Sequence, residues 1–188
     1  MAPRKMNQLR IIGGSQRGRR LSFPDADGLR PTPDRVRETL FNWLQGVISG
    51  ARCLDLFAGS GALGIEALSR GAQSVIWVER NPHVAHSLRG QLPQFDLHNR
   101  GQVICADAVE YLHGAAHPFE IIFLDPPFHH GWIGRCCQLL ATRAWLAPRA
   151  WIYLESEQEL DPLPLPENWQ VLRHRRAGQV AYYLATLK

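Results

Sequence analysis

From residue 51 onward the chain alternates short apolar runs with helical stretches, and this alternation limits the fold more than any other feature. The apolar runs fall at residues 53–58, 74–78, 103–106, 121–124 and 150–154, with helical stretches between them at about 62–70, 82–92, 108–113 and 132–143. Runs so uniformly apolar suit strands buried on both faces of a parallel sheet, and parallel neighbours need helical crossovers. The end of the chain breaks the pattern. Residues 169–174 and 180–187 flank a turn at 175–179, which predicts an antiparallel hairpin reached through the Pro-rich loop 162–166. The expectation is a Rossmann-like α/β domain. At 188 residues with 45% apolar and 20% charged side chains, the chain has enough material for one full core.

The first 50 residues follow a different pattern. Residues 9–23 predict two short strands around a Gly- and Arg-rich turn. Thr32, Pro33 and Asp34 then predict a helix start, with Thr32 as N-cap, and Val36, Leu40, Trp43, Leu44 and Val47 give that helix, about 33–48, an apolar stripe. The expected division is a basic strand-and-turn arm over 1–30 and a main domain over 31–188 that includes this helix. Charge follows the same division: residues 1–37 hold nine Lys/Arg against three Asp/Glu, whereas 38–188 hold twelve against fourteen. A basic arm on a near-neutral body predicts a polyanion contact. The four cysteines, Cys53, Cys105, Cys136 and Cys137, form no C-x-x-C pair, so neither a metal site nor a disulfide framework is expected. A reducing cytoplasm is the expected location. No stretch has the length of a membrane span, and the start lacks the apolar run of a signal peptide.

Residues 55–64 read D-L-F-A-G-S-G-A-L-G, ending the first strand of the main domain and opening a helix. Gly59, Ser60 and Gly61 stand where the chain turns tightly and a ligand can approach the backbone. A G-x-G-x-x-G string also serves dinucleotides. Two acids favour S-adenosylmethionine instead. Asp55 at the strand end would repel a pyrophosphate but attract an ammonium and a sulfonium. Glu79 ends the second strand, where a carboxylate can accept both ribose hydroxyls. Asp107 follows the third strand and can accept an adenine amino group beside Ala108, or cap the next helix. Ala58 and Arg80 complete the candidate cofactor set of Asp55, Ala58, Gly59, Gly61, Glu79, Arg80, Asp107 and Ala108.

Residues 125–128 read Asp-Pro-Pro-Phe and directly follow the fourth strand, which puts them beside the glycine loop on the same sheet edge. An exocyclic amine on a nucleic-acid base is a poor nucleophile because its lone pair is delocalised into the ring. Two acceptors that take both N–H bonds draw the nitrogen toward tetrahedral geometry. The Asp125 carboxylate and the Pro126 carbonyl are the candidate acceptors, held rigid by the prolines, and Phe128 is a candidate stacking partner for the base. His83, His86, His129 and His130 predict surface positions, and Cys136 and Cys137 predict helix packing.

On these residues the chain resembles the RsmD family of bacterial small-subunit (16S) rRNA guanine-N2 methyltransferases. The resemblance rests on R-I-I-G-G at 10–14, R-G-R-R-L at 17–21 and R-P-T-P-D-R-V-R-E-T-L-F-N-W-L at 30–44. It is completed by D-L-F-A-G-S-G-A-L-G-I-E-A-L-S-R-G at 55–71 and D-P-P-F at 125–128. It covers nearly the whole chain, and 30–44 is its family-specific part. It implies a class I fold with a seven-stranded, mostly parallel sheet, S-adenosylmethionine as cofactor and methylation of a guanine N2. The implied substrate is 16S rRNA within an assembled or partly assembled small subunit. The arginines expected to touch RNA are Arg10, Arg17, Arg19, Arg20, Arg35 and Arg37, on a monomer with no metal and no membrane. The choice of guanine comes from the resemblance alone, because an adenine-N6 or cytosine-N4 methyltransferase would carry the same tetrapeptide. A nicotinamide oxidoreductase would share the glycine loop but not Asp55 or the tetrapeptide. A purely RNA-binding protein would leave both motifs idle.

Overall fold

A computed structural model of the chain describes residues 6–26, 29 and 31–188. Arg30 of the family-specific segment lies outside the described residues. Strands β1 (Met6–Arg10) and β2 (Arg20–Pro24) pair antiparallel around a short 3-10 turn at Gly14–Gln16 and form a sheet of their own. Helix α1 (Asp34–Trp43) leads into the main sheet. There β3 (Arg52–Asp55), β4 (Ser74–Glu79), β5 (Gly101–Cys105), β6 (Phe119–Leu124) and β7 (Leu146–Glu157) run parallel. Helices α2 (Ala62–Ser69), α3 (Pro82–Gln91), α4 (Ala108–His113) and α5 (Trp132–Thr142) make the crossovers. Strands β8 (Trp169–Ala177) and β9 (Val180–Leu187) close the sheet as an antiparallel hairpin. The order is β5-β4-β3-β6-β7-β9-β8, seven strands with the antiparallel pair at one edge. The chain reverses direction of travel across the sheet between β3 and β6, so a crevice opens at their carboxyl ends, where open α/β sheets bind ligands.

Two apolar layers follow from the strand alternation. On one face Val36, Leu40 and Phe41 of α1 pack with Ile65, Leu68 and Leu88 against Cys53, Ile121, Phe123 and Tyr153. On the other, Leu112, Cys136, Cys137 and Leu140 pack against Leu54, Ile122, Leu124 and Ile152. The expected packing role of Cys136 and Cys137 is what the fold uses.

Three sequence expectations change. Strand β3 ends at Asp55, three residues before the apolar run does, because Leu56, Phe57 and Ala58 already belong to the turn that carries the glycines. Strand β7 spans twelve residues, starting at Leu146. Exposed Pro148 and Arg149 hide its first half from an apolar search, and the ladder with β6 slips between Phe119 and Ile121. Thr32 does not cap α1: Pro33 occupies the cap position without a side-chain bond, and the Thr32 hydroxyl is committed elsewhere.

The N-terminal hairpin is built into the domain. Ile11, Leu21 and Phe23 are buried. The Glu66 carboxylate of α2 accepts the amides of Ile12 at 2.8 Å and Gly13 at 2.7 Å. Gly14, at φ +73°, lies so close to α2 that a Cβ would sit 1.9 Å from the Ser69 carbonyl oxygen. Arg37 completes this clamp. Its side chain is fully buried and donates to the Arg10 carbonyl at 2.9 Å and to Asp34 at 2.6 Å, with Glu66 at 3.7 Å. The expectation that Arg37 contacts RNA is therefore corrected. Its i,i+3 acid and the acid of α2 hold it inside, where it ties the hairpin to both helices.

Candidate active site

The acids named from the sequence converge on the crevice. Asp55 is buried at the end of β3, and neither of its carboxylate oxygens has a hydrogen-bond partner. Burial pushes its carboxyl up to about 8, and the nearby charges of Asp125 and, more weakly, Glu79 push the same way. The amides of Gly64 and Phe57 soften the shift without making a well-aligned bond. A buried carboxylate this poorly compensated calls for a proton or a cation. The ammonium and sulfonium of S-adenosylmethionine supply the second, so the residues present fit that cofactor.

Around Asp55 the glycine loop is fixed by its own geometry. Gly59 and Gly61 both adopt positive φ, +50° and +79°, the left-handed region that favours glycine. The Gly59 amide donates to Glu79 Oε2 at 2.9 Å, and the Asn81 amide donates to Oε1 at 2.8 Å. Glu79 thus braces the loop while keeping lone pairs for a ligand. A Cβ on Gly61 would meet Leu88 of α3 at 2.4 Å. A side chain there is excluded by the helix behind the loop, a different reason from the ligand space expected from sequence. Asp107 caps α4, accepting from the amides of Val109 at 2.8 Å and Glu110 at 3.3 Å. Its second oxygen remains for another donor. Ala58 and Ala108 are buried beside these groups, and Arg80 is exposed.

The tetrapeptide begins one residue past β6. Pro126 is buried, Asp125 and Phe128 are half-buried, and the loop ends on His129 at φ +64°, whose amide donates to Glu157 at 3.3 Å. Asp125 Oδ2 accepts the Thr32 hydroxyl at 3.2 Å. Burial pushes the Asp125 carboxyl up to about 6, and the Thr32 bond moderates the shift. His83, His86, His129 and His130 are all exposed, as predicted.

Sequence reading missed three neighbours of Asp125: Thr32, Tyr153 and Glu155. The strand register sets Leu124 against Leu154, so Asp125 and Glu155 stand abreast at the strand ends. Glu155 is buried and accepts the Tyr153 hydroxyl at 2.7 Å. Burial, and then the charge of Asp125, hold its carboxyl well above the usual range. Burial and like charge therefore both favour a proton held between these two strand-end acids. The signal was available: Glu155 is an acid ending an apolar strand, the pattern that singled out Asp55, Glu79 and Asp125.

Comparison with known proteins assigns the fold and family. Residues 9–186 match the family model described as Conserved hypothetical protein 95. The chain is 49% identical to ribosomal RNA small subunit methyltransferase D of Escherichia coli K12 over 94% of its length and 89% of that protein. It is 43% identical to the enzyme of that name from Haemophilus influenzae over 97% and 95%. The solved structure of yhhF from Escherichia coli superposes with a TM-score of 0.91 at 47% identity, covering 97% of this chain and 99% of that one. T. thermophilus RsmC, a 16S rRNA N2 methyltransferase solved with AdoMet and guanosine, superposes with a TM-score of 0.70 at 25% identity over 98% of this chain and 50% of that one. The chain belongs to the family described as Conserved hypothetical protein 95, the RsmD family, and is a class I S-adenosylmethionine-dependent methyltransferase.

Proposed function

We propose that the chain methylates the exocyclic N2 of a guanine in small-subunit (16S) rRNA, and that its substrate is the assembled or partly assembled small subunit. The observation that carries this reading is the pairing, at one crevice, of the uncompensated, buried Asp55 carboxylate with the half-buried acceptor Asp125. Bound there, S-adenosylmethionine supplies a methyl group on a cationic sulfur. Asp55 balances the cofactor's positive charge, Glu79 takes the ribose hydroxyls, and Asp107 and Ala108 hold the adenine. Ala58, Gly59, Gly61 and Arg80 complete that wall.

On the other side Asp125 and the Pro126 carbonyl accept the two N–H bonds of the target amine, and Phe128 stacks on its base. The amine lone pair forms the new bond to the methyl carbon as the carbon–sulfur bond breaks, and the proton shed by nitrogen passes to Asp125. Rigid acceptors placed where charge develops lower the barrier without strong acid–base chemistry. The relatives' names support rRNA of the small subunit, and the guanosine bound by T. thermophilus RsmC supports guanine. Exposed Arg10, Arg17, Arg19, Arg20 and Arg35 are assigned to RNA, and Arg37 is not. The unit acts as a monomer in the cytoplasm. No described helix is long and apolar enough to cross a membrane.

Substrate form is tested by methyl incorporation, at matched salt, into assembled small subunits and into the deproteinised rRNA prepared from them. Much faster labelling of subunits is expected, because a near-neutral body with few phosphate contacts binds bare RNA weakly. Equal rates would move recognition to RNA sequence or local fold.

A further inference from the structure

Strand β8 is an edge strand whose residues from Gln170 to Ala177 are exposed on both faces. Its ladder places it relative to the active site. Glu155 pairs with Tyr182, and Tyr182 pairs with Arg175. Asp125, Glu155, Tyr182 and Arg175 therefore form one row across four adjacent strands at the crevice edge. Three strand spacings separate the ends of that row, roughly 14 Å. The hairpin turn at Gly178 lies on this same edge, because β9 runs back from it antiparallel to β7.

Between the hairpin tip and α1 runs a groove of about 570 Å³. Arg35 and Thr39 line its α1 side, and Arg175 and Arg176 its hairpin side. Trp43 and Tyr182 form its floor, stacked with ring centroids 5.5 Å apart. Among the described residues neither Arg35 nor Arg175 has an acidic partner within ion-pair distance. Arg176 has only a loose contact with Asp161 at 3.9 Å. Charges on an edge strand commonly guard against strand-to-strand association. That accounts for the run from Arg173 to Arg176 but not for Arg35, which faces it from a helix.

We infer that this groove is an RNA backbone site, which holds the phosphates of the single-stranded segment adjoining the target guanine. The inference rests on the rRNA reading and adds a surface to it. Guanidinium groups match phosphate oxygens bidentately, and the half-buried Trp43 ring offers apolar surface to a sugar or an unstacked base. A nucleotide that enters the crevice from the α1 side reaches Asp125 while its neighbour's phosphate lies over Arg175.

The test replaces Arg35, Arg175 and Arg176 together, once by Ala and once by Lys. It reads binding to deproteinised small-subunit rRNA against salt, methyl transfer to subunits, and cofactor affinity. For the Ala triple the slope of log K against log salt should fall by about two, since each single-strand phosphate contact contributes about 0.7. KM for subunits should rise at least tenfold, with the loss in KM rather than kcat, and cofactor affinity should hold. The Lys triple should keep most of the slope. An unchanged slope overturns the inference, as does equal impairment of the Lys and Ala triples, which would mark packing. So does a loss seen on subunits but not on bare rRNA, which would assign the groove to a ribosomal protein. Absence of methyl transfer from the unaltered protein to the rRNA of small subunits would instead remove the rRNA reading itself.

Discussion

Asp125, half-buried, and Asp55, fully buried, are carboxylates at one crevice, and their surroundings give them different tasks. Asp125 must be ionised to accept an amine, and burial pushes it up to about 6. With cofactor saturating, the acid limb of kcat/KM for subunits should therefore rise through about pH 6 and flatten above it. A flat profile down to pH 5 would take Asp125 out of the reaction. Asp125→Ala should cut turnover by roughly 100-fold or more while calorimetry shows cofactor affinity nearly intact. Loss of cofactor binding to the same degree would make Asp125 structural. Burial pushes the Asp55 carboxyl up to about 8, against an unfolded value of about 4. Its folded form holds the proton more tightly, so its contribution to stability is complete below about pH 4 and is lost as pH rises through about 8. A cationic ligand reverses this by favouring the ionised form. The cofactor-induced rise in Tm should thus grow between pH 6 and 8, and Asp55→Asn should abolish that growth. A pH-independent rise would contradict the assignment of Asp55 to the cofactor's charge.

Elements meet through glycines and one buried ion cluster. A Cβ on Gly64 of α2 would fall 2.2 Å from the Trp77 ring of β4, so this third glycine of the motif serves helix–sheet packing. Gly64→Ala should destabilise the domain by about 1–3 kcal/mol through overpacking, read as a lowered urea midpoint. An unchanged midpoint would show that the sheet yields there. Arg37→Met should cost about 1–3 kcal/mol, because it leaves the Arg10 carbonyl without its donor and removes one of the two cations beside buried Glu66. A variant as stable as the parent would show that Arg70, at 2.8 Å from Glu66, suffices alone. The same cluster marks the limit of sequence reading. Strands, crossovers and the glycine loop were legible because each is a local pattern of apolar spacing and turn residues. Arg37 looked like its exposed neighbour Arg35 because its burial depends on Glu66, distant in the chain. Thr32 looked like a cap because its partner, Asp125, is equally remote. Removing residues 1–20, most of the arm that the sequence sets over 1–30, would strip Ile11 from the core and take the Arg10 carbonyl from Arg37 and the Ile12 and Gly13 amides from Glu66.

At the scale of the molecule, one sheet edge gathers the cofactor acids, the tetrapeptide, the buried Glu155 and the basic hairpin tip. The chain order of strand ends let the sequence place the first two of these beside each other. Glu155 was legible as a strand-end acid, but Arg175 was not, because the row that joins it to Asp125 exists only once β7, β9 and β8 have paired. That row is what turns a cofactor-binding sheet into a site for one base of a long polyanion. Methyl transfer to a guanine N2 is the chemistry at its centre, and nucleoside mass spectrometry of small-subunit rRNA tests it. Subunits from a strain lacking the gene, incubated with the purified protein and labelled S-adenosylmethionine, should yield N2-methylguanosine as the one labelled nucleoside. Label in N6-methyladenosine or N4-methylcytidine, or no label in the rRNA, would contradict it.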